Sequence, residues 1–189
     1  MKIEPIGLRD WQRFPVTNAG PRAESVVSDK QYEKVIERLG LLVVDQNQYM
    51  RKLTRMMLMN IGAKSIYEAA DGLAALDVVR AVNPDIMLLD WDVPVLSGPQ
   101  MMHIVRSPGL FAKPFLPIIM LTAKASRSHV NEAMRLGVNE VLVKPTSPKM
   151  LRDRLLSILV KPRPMVQIGK YLVPEPRRPA GVGEVLVAG

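Results

Sequence analysis

The chain has 189 residues, 48% of them hydrophobic and 23% charged, with 16 prolines, 12 methionines, two histidines and no cysteine. That length suits one ordinary domain with appendages or two very small ones, and the composition excludes a disulfide scaffold, a thiolate metal site and a cysteine nucleophile, and disfavours a histidine-based zinc centre or a Ser-His-Asp hydrolase. The net charge of +8 divides as 0, +5 and +3 over residues 1–37, 38–160 and 161–189 without a dense basic run, so a solvated, mildly basic surface accounts for it and direct DNA binding is not expected.

Residues 1–27 mix Pro5, Gly7, Pro15, Gly20 and Pro21 with scattered apolar positions and read as an extended arm. Ser28 and Gln31 have capping-box spacing ahead of Tyr32, Val35, Ile36 and Leu39, which predicts a short helix before Gly40. From there the period alternates. Residues 41–44 form a continuous apolar run of strand type, and Met50, Leu53, Met57 and Ile61 recur at helical spacing up to Gly62. Residues 66–69 predict a weaker strand, and Leu73, Leu76, Val79 and Ala81 a helix ending before Pro84. Residues 86–89 predict a strong strand, Pro94 and Gly98 a loop, and Met101, Met102 and Val105 a helix broken at Pro108 and Gly109. Residues 118–121 are the fourth strand, and a helix through Val130, Met134 and Leu136 closes at Gly137. Residues 141–143 are the fifth. Ser147 and Pro148 then place an N-cap and a first-turn proline before Leu151, Leu155, Ile158 and Leu159.

Five βα units, several of their strands apolar throughout, predict an α/β fold, a parallel sheet with helices on both faces. The expected division is an arm and short helix over 1–39, a domain over 40–160 and a Pro/Arg-containing tail over 161–189. No apolar stretch approaches the roughly 20 residues that span a bilayer, and residues 1–16 interleave charge with apolar groups, so we expect a cytoplasmic protein with no membrane partner.

Such a sheet holds its ligand at the carboxyl ends of its strands. Strand one ends in Asp45, strand three in Asp90, strand four in Thr122 and strand five in Lys144. Each alone suits a cap or a turn, but two carboxylates, a hydroxyl and an ammonium on one rim are a constellation. No glycine-rich loop follows strand one, which disfavours a dinucleotide or Walker-type cradle.

The set Val43-Val44-Asp45, Leu88-Leu89-Asp90-Trp91-Asp92-Val93-Pro94 with Gly98, Leu121-Thr122-Ala123 and Val143-Lys144-Pro145 resembles the response-regulator receiver domain of two-component signalling, from about Leu41 to Leu159. The resemblance implies a flavodoxin-like sheet of strand order 2-1-3-4-5 and a phosphoryl group accepted on Asp90 from a sensor histidine kinase or phosphotransfer protein. It also implies Mg²⁺ held by Asp45, Asp90 and the backbone carbonyl of Asp92, since neighbouring carboxylates repel a phosphate unless a hard cation neutralises them. Lys144 would meet a phosphoryl oxygen as a point charge, and Thr122 would turn its hydroxyl to the phosphate. The Lys144-Pro145 bond is a candidate cis peptide.

Two positions depart from the family pattern. Receivers usually carry a second acid after strand one, where this chain has Gln46, a further but weaker candidate ligand that implies weakened Mg²⁺ affinity. Val141 takes the place of the switch aromatic, so Thr122 movement needs another readout. Trp91 reads as a shield or partner contact at the rim, His103 and His129 as surface or packing residues away from the strand ends, and Asn139 and Glu140 as loop residues.

The tail, with Arg163, Tyr171, Arg177 and Arg178 among prolines, reads either as flexible or as a segment whose Val166 and Val173 pair with a sheet edge or a second subunit, which would permit a homodimer through the extensions. It is too short for a DNA-binding domain, so output by contact with a downstream protein is expected. The alternative is a degenerate receiver acting without phosphorylation, as an interaction or cyclic-dinucleotide-binding module. A dehalogenase-type phosphatase, suggested by Asp90-Trp91-Asp92, is disfavoured because only Asp153 follows Lys144 as a carboxylate within the domain.

Overall fold

Apolar runs of four or five residues, each bounded by a polar cap or turn, decide the architecture. The computed structural model describes residues 29–175. Helix α1 (Asp29–Ile36) leads into β1 (Gly40–Val44), α2 (Gln48–Asn60), β2 (Ser65–Ala69), α3 (Gly72–Val82), β3 (Ile86–Asp90), α4 (Gly98–Val105), β4 (Ile118–Thr122), α5 (Arg127–Arg135), β5 (Glu140–Val143) and α6 (Pro148–Val160). A hairpin of β6 (Met165–Ile168) and β7 (Tyr171–Pro174) follows. The anticipated arm, the pairing of Ser28 with Gln31 and the tail beyond Glu175 lie outside the described residues and side chains.

Strands β1 to β5 form one parallel sheet in the order β2-β1-β3-β4-β5, as the resemblance implied. Every residue of β3 and β4 is buried, which a strand achieves only when both faces are covered. Alternate side chains serve opposite layers. Leu42, Val44, Met87, Leu89 and Met120 join α3 and α4 in one core, while Leu41, Val43, Leu88, Ile119 and Leu121 join Ile36 of α1 with α2 and α6 in the other. Asn47, Asp71, Ser97, Ser126 and Ser147 cap the five helices that follow the strands, each side chain accepting from a first-turn N–H.

Two helices are turned from the faces their apolar residues suggested. In α2 the buried residues are Thr54, Met57 and Leu58, whereas Leu53 is 47% exposed. In α5 they are His129 and Ala133, with Val130 and Met134 lining a groove toward β5. A small residue at 133 lets α5 lie close to the sheet, and closeness outweighs the burial of a larger side chain one position away. Glu140, read as a loop residue, opens β5 and is buried, accepting a hydrogen bond from Ser157 Oγ at 2.8 Å.

Within the described residues the tail folds back on the domain. Its hairpin pairs with itself through Gly169 at φ 59° and docks on the amino end of β5 instead of extending the five-stranded sheet. Leu172 N–H donates to Arg106 O at 2.8 Å, and the Arg163 guanidinium donates to the carbonyls of Val138 and Asn139. Val173 packs on Gly137, which has φ +88° and where a Cβ would come within 2.7 Å of Val173 Cγ1.

Beneath the hairpin, Arg106 is fully buried. Its guanidinium donates to Gly137 O at 2.9 Å, Pro114 O at 2.6 Å, Leu116 O at 2.9 Å and Asn139 Oδ1 at 3.1 Å. Burial, and then the neighbouring Arg163, push its pKa down. The converging oxygens offset that desolvation. Replacement by methionine would fill the space but orphan three carbonyls, so Arg106→Met is expected to lower the unfolding free energy by roughly 3 kcal/mol in urea titrations, at about 1 kcal/mol or more per orphaned group.

Candidate functional site

Parallel register brings chain-distant residues level. Val44 lies beside Leu89, Asp90 beside Leu121 and Thr122 beside Val143, so the carboxyl ends of β1, β3, β4 and β5 open on one crevice next to the β1/β3 switch point. Asp45, Asp90, Thr122 and Lys144 all stand there. Lys144 Nζ lies 2.7 Å from Asp45 Oδ2 and 2.9 Å from Asp90 Oδ1, a single ammonium shared by two carboxylates. Asp45 Oδ1 also accepts from Asn47 N–H at 2.8 Å, which ties it to the start of α2. The Lys144-Pro145 peptide is cis.

Asp90 has its pKa raised, first by burial, with Lys144 opposing the shift and the Asp45 charge adding to it. Lys144 also has its pKa raised: burial alone would lower it, but hydrogen bonds to Asp45 and Asp90 outweigh that. The two directions agree physically, because one cation divided between two anions is strongly held while its charge does not fully offset the burial of Asp90. Gly98 lets α4 press against this strand end, since a Cβ there would sit 3.0 Å from Asp90 O, and its N–H donates to Trp91 O at 3.0 Å.

The remaining oxygens are those of a hard-cation site. Besides the two carboxylates they are the Asp92 carbonyl and the Gln46 amide, and Gln46 Nε2 donates to Asp92 O at 2.9 Å. This donor chemistry fits Mg²⁺. Among the described residues no cluster of three or more His, Cys, Asp or Glu side chains has metal-holding geometry, so an ion here would draw on only two carboxylates.

Thr122 is buried, its Oγ1 accepting from Lys124 N–H at 3.0 Å and lying 3.0 Å from His129 Nε2. His129 was expected away from the strand ends. The Ser126 cap instead starts α5 directly after the β4 loop and places His129 in its first turn, facing back to Thr122. That cap spacing is the one sequence signal for its position. The His129 ring lies against Trp91 with centroids 3.9 Å apart and planes tilted by 48°, and Trp91 is 8% exposed and belongs to the core instead of standing free at the rim. Val141 is half-buried opposite Met120, and no aromatic side chain lies at that position. His103 does sit away from the site, its ring 5.3 Å from Tyr171 of the hairpin.

Residues 41–156 match the response regulator receiver domain. The chain is 32% identical over 122 residues to chemotaxis protein CheY1 of Helicobacter pylori, spanning 64% of this chain and 97% of that protein. It is likewise 32% identical over 120 residues to chemotaxis protein CheY of Pseudomonas aeruginosa, spanning 64% and 95%. Among solved structures, CheY4 of Vibrio cholerae superposes with a TM-score of 0.57 at 29% identity, over 64% of this chain and 98% of that one. The receiver domain of a Pseudomonas aeruginosa sensor histidine kinase, solved with a magnesium ion in its active-site cleft, superposes with a TM-score of 0.57 at 26% identity, over 65% and 98%.

The raised pKa of Asp90 has a stability consequence. A carboxyl that holds its proton more firmly folded than unfolded destabilises the fold once ionised, so its contribution falls as pH rises through the raised value. Asp90→Asn keeps an oxygen for Lys144 and removes the charge. It is expected to raise the melting temperature by a few degrees at neutral pH in EDTA, and the gain should shrink as the pH is lowered toward the ordinary carboxylate range.

Proposed function

The chain belongs to the response regulator receiver family of two-component signalling, and from that premise we propose that it accepts a phosphoryl group on Asp90 from a sensor histidine kinase or phosphotransfer protein and signals by protein contact. The observation that carries this reading is the Lys144 ammonium held at once against Asp45 and Asp90. In the transfer, an Asp90 carboxylate oxygen attacks phosphorus and the bond from phosphorus to the donor imidazole nitrogen breaks. The bonding pair stays on that nitrogen, and Asp90 becomes an acyl phosphate.

Lys144 aims the Asp90 carboxylate and sets positive charge where phosphoryl oxygens arrive. The Thr122 hydroxyl, on the adjoining strand end, then turns to a phosphoryl oxygen. Asp45, Asp90 and the Asp92 carbonyl would hold Mg²⁺, with Gln46 where a second acid is usual. The ion, when bound, supplies charge neutralisation between carboxylates and phosphate. Receivers of this kind are signalling modules, and the reading assigns no turnover of a separate substrate.

The Gln46 amide bonded to the Asp92 carbonyl favours a second reading, a degenerate receiver that works without phosphorylation. Its cyclic-dinucleotide form rests on Arg177 and Arg178, which lie outside the described residues. Incubation with acetyl phosphate and saturating Mg²⁺ separates the two readings: intact mass should rise by one phosphoryl group, and Asp90→Asn should abolish the gain. Absence of any gain even with excess metal would favour the degenerate form. Gln46→Asp is expected to tighten Mg²⁺ by about tenfold in calorimetric titration, because a new carboxylate within ~4 Å of the ion supplies more attraction than that factor requires.

Tyr49, Leu53 and Met56 expose 83%, 47% and 62% of their surface at helical spacing along α2, whose Asn47 cap adjoins Asp45. This apolar stripe beside the crevice suits the helix of a phosphodonor protein. Leu53→Glu with Met56→Glu is expected to slow transfer from a phosphorylated phosphotransfer protein by about tenfold, the factor for ~1.4 kcal/mol of lost apolar contact. Labelling by acetyl phosphate, which needs no such contact, should be unchanged.

A further inference from the structure

We propose that His129 is the positioning residue that holds the Thr122 hydroxyl away from the phosphoryl site, so that phosphorylation must break the Thr122–His129 hydrogen bond and thereby loosens the first turn of α5. This inference rests on the phosphoacceptor reading of Asp90. Its physical basis is that a hydroxyl has one proton. Thr122 Oγ1 already accepts from the Lys124 N–H at 3.0 Å, and its nearest side-chain partner is His129 Nε2 at 3.0 Å. On the far side of the ring, Nδ1 faces Glu132 Oε2 at 3.9 Å. At that distance the carboxylate does not hydrogen-bond the ring, but its charge favours the ring proton on Nδ1, and on that ground we assign Nε2 as the acceptor. In the unphosphorylated protein the Thr122 proton is therefore committed to His129, and a phosphoryl oxygen must compete for it.

What the loss would release is equally defined. His129 sits three residues after the Ser126 cap, and its own N–H donates to Ser126 Oγ at 3.3 Å. Among the hydrogen-bonded contacts of that turn, the bond to Thr122 is the one that joins it to β4. The tilted ring contact with Trp91 at 3.9 Å joins the same ring to the residue next to the acceptor, so His129 touches both strand ends that would respond to a new anion. With Val141 unable to act as an aromatic switch, His129 is the aromatic ring in direct contact with Thr122 that can register its rotation.

Beryllofluoride with saturating Mg²⁺, a phosphoryl mimic, tests this without a kinase. Fluorine NMR measures its binding, and nitrogen NMR of the histidine rings follows Nε2. His129→Phe keeps an aromatic ring against Trp91 but removes the acceptor, and should bind beryllofluoride about fivefold tighter, the factor that one released hydrogen bond supplies. In a Thr122→Ala background the same change should have no effect. In the unaltered protein, the His129 Nε2 resonance should move toward that of an unbonded ring nitrogen as the mimic binds.

Equal or weaker binding by folded His129→Phe would overturn the proposal. So would an unmoved Nε2 resonance with the mimic bound, a measurement that needs no variant to fold. If the unaltered protein binds no beryllofluoride at any Mg²⁺ concentration, the phosphoacceptor reading itself fails and takes this inference with it.

Discussion

Two carboxylates facing each other across a largely buried crevice repel, and the Lys144 ammonium between Asp45 and Asp90 makes the arrangement tenable. That demand reaches far into the molecule. The ammonium arrives only if β5 ends level with β1 and β3, which requires β4 between them in unbroken parallel register and both helical layers in place to bury the strands. The caps at Asn47 and Ser97 then start α2 and α4 within a few residues of the same rim, and Gly98 admits the second of these helices against the acceptor backbone. Electrostatic frustration at one point is thus held by packing everywhere else.

Much of this was legible beforehand because parallel strands announce themselves as continuous apolar runs and their terminal polar residues follow directly. All ten elements of the five βα units appear where the periodicity put them, with ends displaced by a few residues, and Asp45, Asp90, Thr122 and Lys144 converge on one crevice. What stayed hidden depends on helix phase. A nine-residue helix offers too few apolar positions to distinguish adjacent faces, so Val130 and Met134 suggested one orientation of α5 while its cap and Ala133 set another. That rotation of a single position is why His129 looked remote and is in fact bonded to Thr122. Glu140 was missed for a similar reason: a charged residue at a strand start reads as loop until its partner, here Ser157 on α6, is known.

The hairpin was anticipated in part: Val166 and Val173 read as pairing with a sheet edge or a second subunit, and they pair with each other instead. Met165, Val166, Ile168, Tyr171, Leu172 and Val173 supply apolar residues on either side of Gly169, but the flanking prolines and arginines allowed a flexible tail as the alternative reading. Its order comes from long-range contacts that composition does not encode: the carbonyls of Arg106, Val138 and Asn139, and a concave spot at Gly137 that receives Val173. Arg106 is the hinge pin of this corner, binding three loop carbonyls with its side chain and a hairpin amide with its backbone.

The hairpin also bears on how interchangeable this receiver is with others. The family match ends at residue 156, yet the hydrogen-bonded structure continues to Glu175, whose N–H donates to Pro164 O. A foreign module spliced on just after α6 would evict the hairpin and strip backbone carbonyls of their donors at three places. Evolutionary shuffling at that junction therefore carries a folding penalty, and the natural seam for joining anything to this domain lies beyond β7.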